Sequence, residues 1–191
     1  MDKRPHLYFE KDNEWRDWLH QNHLEYPQGV YLIFYKLEVS VPTMRWEEAV
    51  KVALCYGWID STVKSLGEGK RQQYFCPRNP KSHWSALNKN YIDELNALGL
   101  IHESGWKTIK NAKETGTWNA LDGVENGVIP DDLQQAFNRH PKAFENYKNF
   151  APGYQKSYLY WLFQAKREET RIKRIDAIIA HCEANQKTRA T

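Results

Sequence analysis

The fold of this chain is decided by residues 53–85, which read ALCYGWIDSTVKSLGEGKRQQYFCPRNPKSHWS. This stretch predicts the end of one helix, a complete β-hairpin and the start of a second helix. Gly57 suits the position just after the first helix, where the backbone turns left-handed, so we expect a positive φ there. Residues 58–63 and 72–76 carry aromatic and β-branched side chains, and the glycines between them supply the hairpin turn.

One more strand is predicted before this stretch. Residues 30–36, VYLIFYK, follow a Pro-Gln-Gly turn and are apolar on both faces, which is typical of a central strand. A helix is predicted from about Arg45 to Tyr56, because apolar residues recur there at intervals of three and four. Together with the hairpin these elements predict an α+β fold, in which a small antiparallel sheet of about three strands is flanked by helices.

The second helix of the stretch is predicted to begin at Ser82 and to run to about Leu98. Ser82 follows the rigid segment PRNPK and is a residue type that caps helix N-termini. A further helix is predicted over residues 103–115. A glycine follows each of these two helices, as expected at a helix C-terminus.

The domain organisation is predicted from the loss of periodicity after these helices. Residues 121–130 contain two glycines and little apolar repetition, so we expect a linker there. An α+β domain is therefore predicted over residues 1–120, and a helical C-terminal segment over residues 131–191. We expect the C-terminal segment to pack on the first domain.

Composition allows a well-packed core and sets limits on the partners. Hydrophobic residues make up 41% and aromatic residues 14% of the chain, which is too apolar for a disordered protein. The eight tryptophans and eleven tyrosines fill a core or line a contact surface, and composition alone leaves both readings open. The net charge is +3, and residues 151–191 alone carry a net +4, so the basic character lies in the C-terminal helices.

The cysteines and the apolar runs predict a soluble, cytoplasmic protein. Cys55, Cys76 and Cys182 form neither a CxxC pair nor a zinc pattern, and such a sparse, odd set suits a reducing compartment. The N-terminal residues lack the apolar core of a signal peptide, and the longest apolar run is far too short to cross a membrane. We expect no metal, no cofactor and no membrane insertion.

Three sequence blocks carry a family resemblance. They are ALCYGWIDS at 53–61, PRNPKSHWSALN at 77–88 and YLYWLFQAKREETRIKRI at 158–175. In this order they resemble the bacterial YdeI/OmpD-associated proteins, which are also described as bacteriocin-protection proteins. The resemblance implies a soluble bacterial protein linked to stress and antimicrobial-peptide tolerance. It implies no catalytic residue.

A ligand site is predicted where the polar residues of the central stretch concentrate. An arginine beside the unpaired N–H groups of a helix N-terminus suits an anion or a small polar ligand, and a tryptophan there supplies an apolar wall. A protein partner is the other kind of ligand considered. The residues predicted to form the site are Asp60, Ser61, Arg78, Lys81, Ser82, Trp84 and Asn88.

Two alternatives compete with this ligand site. In the first, Ser82 only caps its helix and Arg78 pairs with Asp60, so that the pair pins the hairpin to the helix. In the second, the chain is a hydrolase-like enzyme in which Asp60 or His83 is a general base beside Ser61 or Ser82. No phosphate loop, nucleophile elbow, HExxH or dinucleotide-binding motif is present to support the enzyme.

A second, weaker candidate is a basic stripe for nucleic acid on the C-terminal helix. Arg167, Arg171 and Arg174 fall on one helical face, as phosphate-binding residues do. Acidic residues interleave with them, and Glu169 is placed to pair with Lys173 one turn later. We therefore expect this face to be solvated or packed inside the protein, and we expect no specific binding of double-stranded DNA.

Overall fold

The computed structural model describes residues 4–188, which form two compact units divided between Asn119 and Ala120. The first unit combines a sheet with helices, and the second consists of helices and loops within the described residues. Each unit has its own cluster of buried apolar side chains. The α+β fold class predicted from the sequence is confirmed.

The first unit contains a mixed four-stranded sheet with strand order β1-β2-β4-β3. Its strands are β1 (His6–Tyr8), β2 (Val30–Tyr35), β3 (Trp58–Gly67) and β4 (Lys70–Pro77). β3 and β4 form the predicted hairpin, and β2 is the predicted central strand, antiparallel to β4. The prediction of about three antiparallel strands missed β1, which pairs parallel to β2 at the sheet edge. Three residues are too few to show a strand period in a sequence.

The two faces of the sheet have different chemistry. Val30, Leu32 and Phe34 of β2 are buried on the face that builds the core, together with Phe75 of β4. The alternating residues of β2 point to the opposite face and are only half-buried, and Tyr31 is one of them. This alternation follows from the period of two in a pleated strand.

Helices supply the rest of the first core. They are α1 (Asp12–Asn22), α2 (Trp46–Cys55), α3 (Ala86–Ala97) and α4 (Glu103–Glu114). Trp15 and Leu19, one turn apart on α1, are fully buried, and the Trp15 ring meets the rings of Trp58 and Phe75 edge-on. α2 spans nearly the predicted range and ends before Gly57, as expected.

The start of α3 differs from the prediction. Ser85, not Ser82, is the N-cap, and its Oγ accepts from the Asn88 backbone N–H at 3.2 Å. Ser82 instead closes a turn: its backbone N–H and its Oγ both donate to the Asn79 carbonyl, at 2.9 and 2.7 Å. Ser82 is thus part of the turn at Asn79, and the N-cap of α3 lies three residues later than predicted.

The second unit consists of five short helices among the described residues. They are α5 (Asp122–Glu125), α6 (Asp131–Arg139), α7 (Pro141–Lys148), α8 (Pro152–Phe163) and α9 (Glu168–Glu183). Leu133, Phe137, Leu162 and Ile178 are fully buried in its core. The predicted linker at 121–130 contains α5 and lies within this unit. Within residues 4–188 no helix is both long and apolar enough to span a bilayer.

Candidate functional site

A cleft of about 290 Å³ opens at Gly57, where α2 ends and β3 begins. Its polar side chains are two cations, Arg78 and Lys107, two hydroxyls from α4, and His23. Aromatic and aliphatic residues, including Trp58, make the remaining wall. Among the described residues no aspartate or glutamate lines this cleft, so its charge is positive.

Gly57 shapes the cleft through its backbone. Its φ is +73°, which confirms the predicted left-handed turn. The Gly57 carbonyl accepts from the Arg78 backbone N–H at 2.9 Å, which fixes the start of the loop after β4. A Cβ on Gly57 would collide with the Thr108 hydroxyl of α4. Only glycine therefore fits both the backbone conformation and the space.

Arg78 is a buried cation with few partners. Only 8% of the residue is exposed, one Nη donates to the His83 carbonyl at 2.6 Å, and the guanidinium lies 3.8 Å from the centre of the Trp84 ring. Its Nε and other Nη have no hydrogen-bond partner within residues 4–188. Burial lowers the pKa of Arg78 to about 10, which leaves the side chain charged at neutral pH.

The ion pair considered between Arg78 and Asp60 is not formed. Asp60 accepts from Trp46 Nε1 at 2.9 Å and from the Gln73 side-chain amide. In the sheet Asp60 is paired with Phe75, so its carboxylate lies on the core face of the hairpin beside Gln73. Asp60 raises the pKa of Arg78 through space, against the larger effect of burial.

The first turns of α4 complete the cleft. The backbone N–H of His102, the N-cap of α4, donates to the Cys55 carbonyl at 3.0 Å, and Ser104 Oγ donates to the Tyr56 carbonyl at 3.1 Å. These bonds fasten the start of α4 to the end of α2. Lys107, one turn later, is exposed in the cleft and forms no ion pair among the described residues. The two cations of the cleft therefore lack a neutralising carboxylate.

Of the other predicted site residues, Trp84 contacts the Arg78 guanidinium, whereas the rest lie elsewhere in the first unit. Asp60 and Ser61 line a separate, shallow depression together with Arg71 of β4. Ser82 closes its turn, and Lys81 is exposed on the same turn. Trp84 is 1% exposed and serves as the floor beneath the Arg78 guanidinium. Asn88 is engaged by the N-cap residue of α3.

Two residues of the enzyme alternative, Ser82 and Asp60, are hydrogen-bonded to other groups. Ser82 Oγ donates to a backbone carbonyl, and the hydrogen bonds of the Asp60 carboxylate come from Trp46 and Gln73. Within residues 4–188 no hydrogen bond joins the Asp60 carboxylate to the Ser82 hydroxyl.

Three histidine rings cluster beside the cleft. The His102 ring centre lies 5.1 Å from that of His23 and 5.8 Å from that of His20, and it stacks on Tyr56. Burial, followed by the neighbouring His23 and His20, lowers the pKa of His102. No group of three or more His, Cys, Asp or Glu in the described part of the chain has the geometry of a metal site.

The C-terminal arginine stripe is largely engaged inside the second unit. Arg171 makes a two-point ion pair with Asp132, at 2.5 and 2.9 Å. Arg174 donates to the Trp161 carbonyl and lies 5.1 Å from the centre of its ring. Arg167 is exposed at the start of α9. The predicted pair of Glu169 with Lys173 is present, at 2.5 Å.

Sequence reasoning missed the α4 side of the cleft. Lys107 and Ser104 stand about fifty positions after Gly57, and nothing in their local sequence separates them from other exposed residues of an amphipathic helix. Gly105 offered the one available signal, a glycine inside a helix. It lets α4 approach the Cys55 carbonyl so closely that a Cβ would collide with it.

Comparison with known families divides the chain in the same way as the structure. A domain of unknown function, DUF8412, matches residues 7–108, more than half of the chain. The family described as bacteriocin-protection, YdeI or OmpD-associated matches residues 126–185, in the second unit, which confirms the resemblance found in the sequence. No curated protein and no solved structure gives a significant match. The chain therefore belongs to the DUF8412 family, and its second unit is similar over residues 126–185 to the bacteriocin-protection, YdeI or OmpD-associated proteins.

Proposed function

We propose that this protein acts in bacteriocin protection as a binding protein that takes a small anionic ligand in the Gly57 cleft. The observation that carries the proposal is the buried Arg78 guanidinium, which has no carboxylate partner and two N–H-bearing nitrogens without acceptors among the described residues. Burying an unpaired charge costs free energy, and a bound anion would offset that cost. We further propose a cytoplasmic location, which rests on the sparse, unpaired cysteines.

The chemistry of the cleft favours a compact anion such as a phosphate or a carboxylate. Lys107 provides an exposed point charge, and Arg78 adds a buried positive charge in the wall of the cleft. The hydroxyls of Ser104 and Thr108 already donate to backbone carbonyls, but a hydroxyl oxygen can still accept a bond from a ligand. The aromatic wall beside them suits an apolar part of the ligand.

Ligand-induced stabilisation tests the proposal. The melting temperature of the protein is measured in increasing inorganic phosphate and pyrophosphate, with chloride at matched ionic strength. A ligand at about 100 times its dissociation constant adds about 2.7 kcal/mol to the free energy of unfolding. We expect a saturable rise for at least one of the two anions. A response equal to that in chloride would contradict an anion site.

Variants on α4 give a matched control. Lys107→Gln removes the exposed cation of the cleft and should weaken the anion-dependent stabilisation severalfold with little effect on the unliganded protein. Lys110 lies on the same helix outside the cleft, and its side chain is 78% exposed. The variant Lys110→Gln should therefore respond to the anion like the wild type. Equal responses of the two variants would place the anion elsewhere.

Arg78→Gln tests the deeper cation. Glutamine keeps a donor for the His83 carbonyl but removes the charge. We expect it to abolish the anion response while the protein remains folded by circular dichroism. In cells, expression of the chain in a bacteriocin-sensitive strain should raise survival, and Arg78→Gln should remove that gain. If Arg78→Gln raised survival as much as the wild type, protection would not depend on this cleft.

A further inference from the structure

The sheet of the first unit presents a face of tyrosines away from its core, which we name the tyrosine face. Strand pairing places the alternate residues of the four strands on this side. The face shares no residue with the Gly57 cleft. Its ring-bearing residues are His6, Tyr8, Tyr31, Tyr35 and Tyr74.

These rings are partly accessible and held in place. Tyr8 is 38% exposed, and Tyr31, Tyr35 and Tyr74 are half-buried. The Tyr74 hydroxyl donates to the Gln28 carbonyl at 2.6 Å, and the Tyr8 hydroxyl donates to the Pro42 carbonyl. Anchored rings lose little conformational entropy when a ligand stacks on them.

Three of the rings form a row across the strands, and Tyr8 and Tyr35 form a separate edge-on pair with ring centres 5.5 Å apart. His6 stacks on Tyr31 with ring centres 4.9 Å apart, and Tyr31 lies 5.4 Å from Tyr74 on the neighbouring strand. The Arg4 guanidinium covers both tyrosines, at 4.8 and 4.6 Å from their ring centres. A guanidinium plane over aromatic rings is itself a surface on which a base can stack.

The charged residues at the paired strand positions of this face are all cations. Lys64 is paired with Gln72 and Lys70 with Tyr35, so both lysines belong to this side of the sheet. Together with Arg4 they give three cations, and no aspartate or glutamate occupies a paired position on this face within the described strands. Asp60 is paired with Phe75 and belongs to the core side.

We propose that the tyrosine face binds single-stranded nucleic acid, with bases stacked on the aromatic rings and on the Arg4 guanidinium that covers two of them, and with phosphates beside Lys64 and Lys70. Exposed aromatic rings on a four-stranded sheet are a recurrent platform for single-stranded RNA. Stacking needs only the π-face that every base has, so recognition on this face tolerates different sequences. Double-stranded nucleic acid keeps its bases stacked inside the helix and cannot use the rings.

Fluorescence anisotropy with a labelled, mixed-sequence RNA of about 12 nucleotides tests the proposal. The single strand should bind with a dissociation constant in the micromolar range, and binding should weaken between about 50 and about 200 mM salt. An unlabelled duplex of the same sequence should compete poorly. Absence of binding to single-stranded RNA and DNA at about 100 μM protein, or equal competition by the duplex, would overturn the proposal.

Variants at Tyr35 separate stacking from folding, because its hydroxyl makes no hydrogen bond among the described residues. Tyr35→Phe keeps the ring and should bind like the wild type, whereas Tyr35→Ser should weaken binding on the order of tenfold. Tyr160→Ser, at a 45% exposed tyrosine of the second unit, is the matched control and should have no effect. Unchanged binding of Tyr35→Ser would overturn the proposal.

A charge variant distinguishes this face from the arginine stripe of α9. Lys70→Gln should reduce the slope of log affinity against log salt by about one, as for the loss of one phosphate contact. Arg167→Gln on α9 should leave the slope unchanged. A slope that falls in Arg167→Gln and not in Lys70→Gln would place the nucleic acid on α9 and overturn the assignment to the tyrosine face.

Discussion

At the scale of single residues, glycine is required at position 57 for two reasons, the backbone conformation and the lack of space for a side chain. Its positive φ disfavours any side chain, and the space where a Cβ would lie is taken by Thr108. Gly116 ends α4 with nearly the same φ, +75°, but has open space around it. The pair therefore separates the backbone cost of an added methyl group from its steric cost.

Gly57→Ala should destabilise the protein more than Gly116→Ala. The left-handed conformation alone costs about 1–2 kcal/mol for alanine, and the collision with Thr108 adds to that cost only at position 57. Chemical denaturation measures both free energies of unfolding. Thr108→Ala should recover part of the loss in the Gly57→Ala background. Equal losses of unfolding free energy in the two single variants would show that α4 moves away from the added methyl group without destabilising the protein.

The backbone turn at Gly57 was predictable from the sequence, whereas the side-chain partner of Arg78 was not. The glycine turn at 57 followed from a helix stop directly before a strand. The partner of Arg78 did not follow, because Asp60 is a plausible partner by distance along the chain and only the strand register sends its carboxylate to Gln73. Register depends on neighbours far apart in the sequence.

At the scale of elements, the segment before α3 offers two serines that could each cap a helix. Both Ser82 and Ser85 precede an apolar helical pattern, and local sequence rules do not choose between them. The choice is made by the Asn79 turn, in which the Asn79 side chain accepts from the Lys81 N–H at 2.9 Å. The end of the hairpin, not the helix itself, therefore sets where α3 begins.

Ser85→Ala should cost about 1 kcal/mol of stability, the usual effect of losing an N-cap. Ser82→Ala should cost less, because its hydroxyl donates to a carbonyl that already accepts from the Ser82 N–H. Urea unfolding of the two variants side by side measures the difference. A larger loss at Ser82 than at Ser85 would contradict the observed helix start.

At the scale of the whole molecule, the two units match different families, and each has a core of its own. The helix content, the hairpin and the central strand followed from local patterns in the sequence. The Gly57 cleft did not, because its two cations come from a β4 loop and from α4. Only the packing of α4 against the end of α2 brings Lys107 to the cleft that Arg78 lines.

The stability of the first unit should fall with acid below about pH 6.5, the ordinary pKa of histidine. Burial and the neighbouring His23 and His20 lower the pKa of His102 in the folded chain, and Glu103 opposes them only in part. The unfolded chain therefore takes up a proton first as the pH falls. At a pH above the pKa of His102 in the unfolded chain, this loss of stability is absent. The loss grows as the pH falls, until the pH is below the lowered pKa of His102 in the folded chain.

His102→Asn should reduce this acid sensitivity. His102 Nδ1 accepts from the Ser104 N–H at 3.3 Å as the N-cap of α4, and asparagine can cap without titrating. Unfolding free energies at about pH 5 and about pH 7.5 measure the effect. His83→Asn, at an exposed position, is the control and should keep the wild-type difference. An unchanged difference in His102→Asn would assign the acid sensitivity to other groups.

The packed tryptophans of the first core also give the protein a spectroscopic signal of its own. The indole rings of Trp15 and Trp18 lie 5.3 Å apart, and each is 6.2 Å from the ring of Trp58. Indoles at such separations couple their electronic transitions and give an intense circular dichroism band. Trp161 is the one indole in the sequence after residue 119, so it has no second indole nearby in its own unit. Loss of the coupled band therefore reports melting of the first core, without isotopes, dyes or a truncated chain.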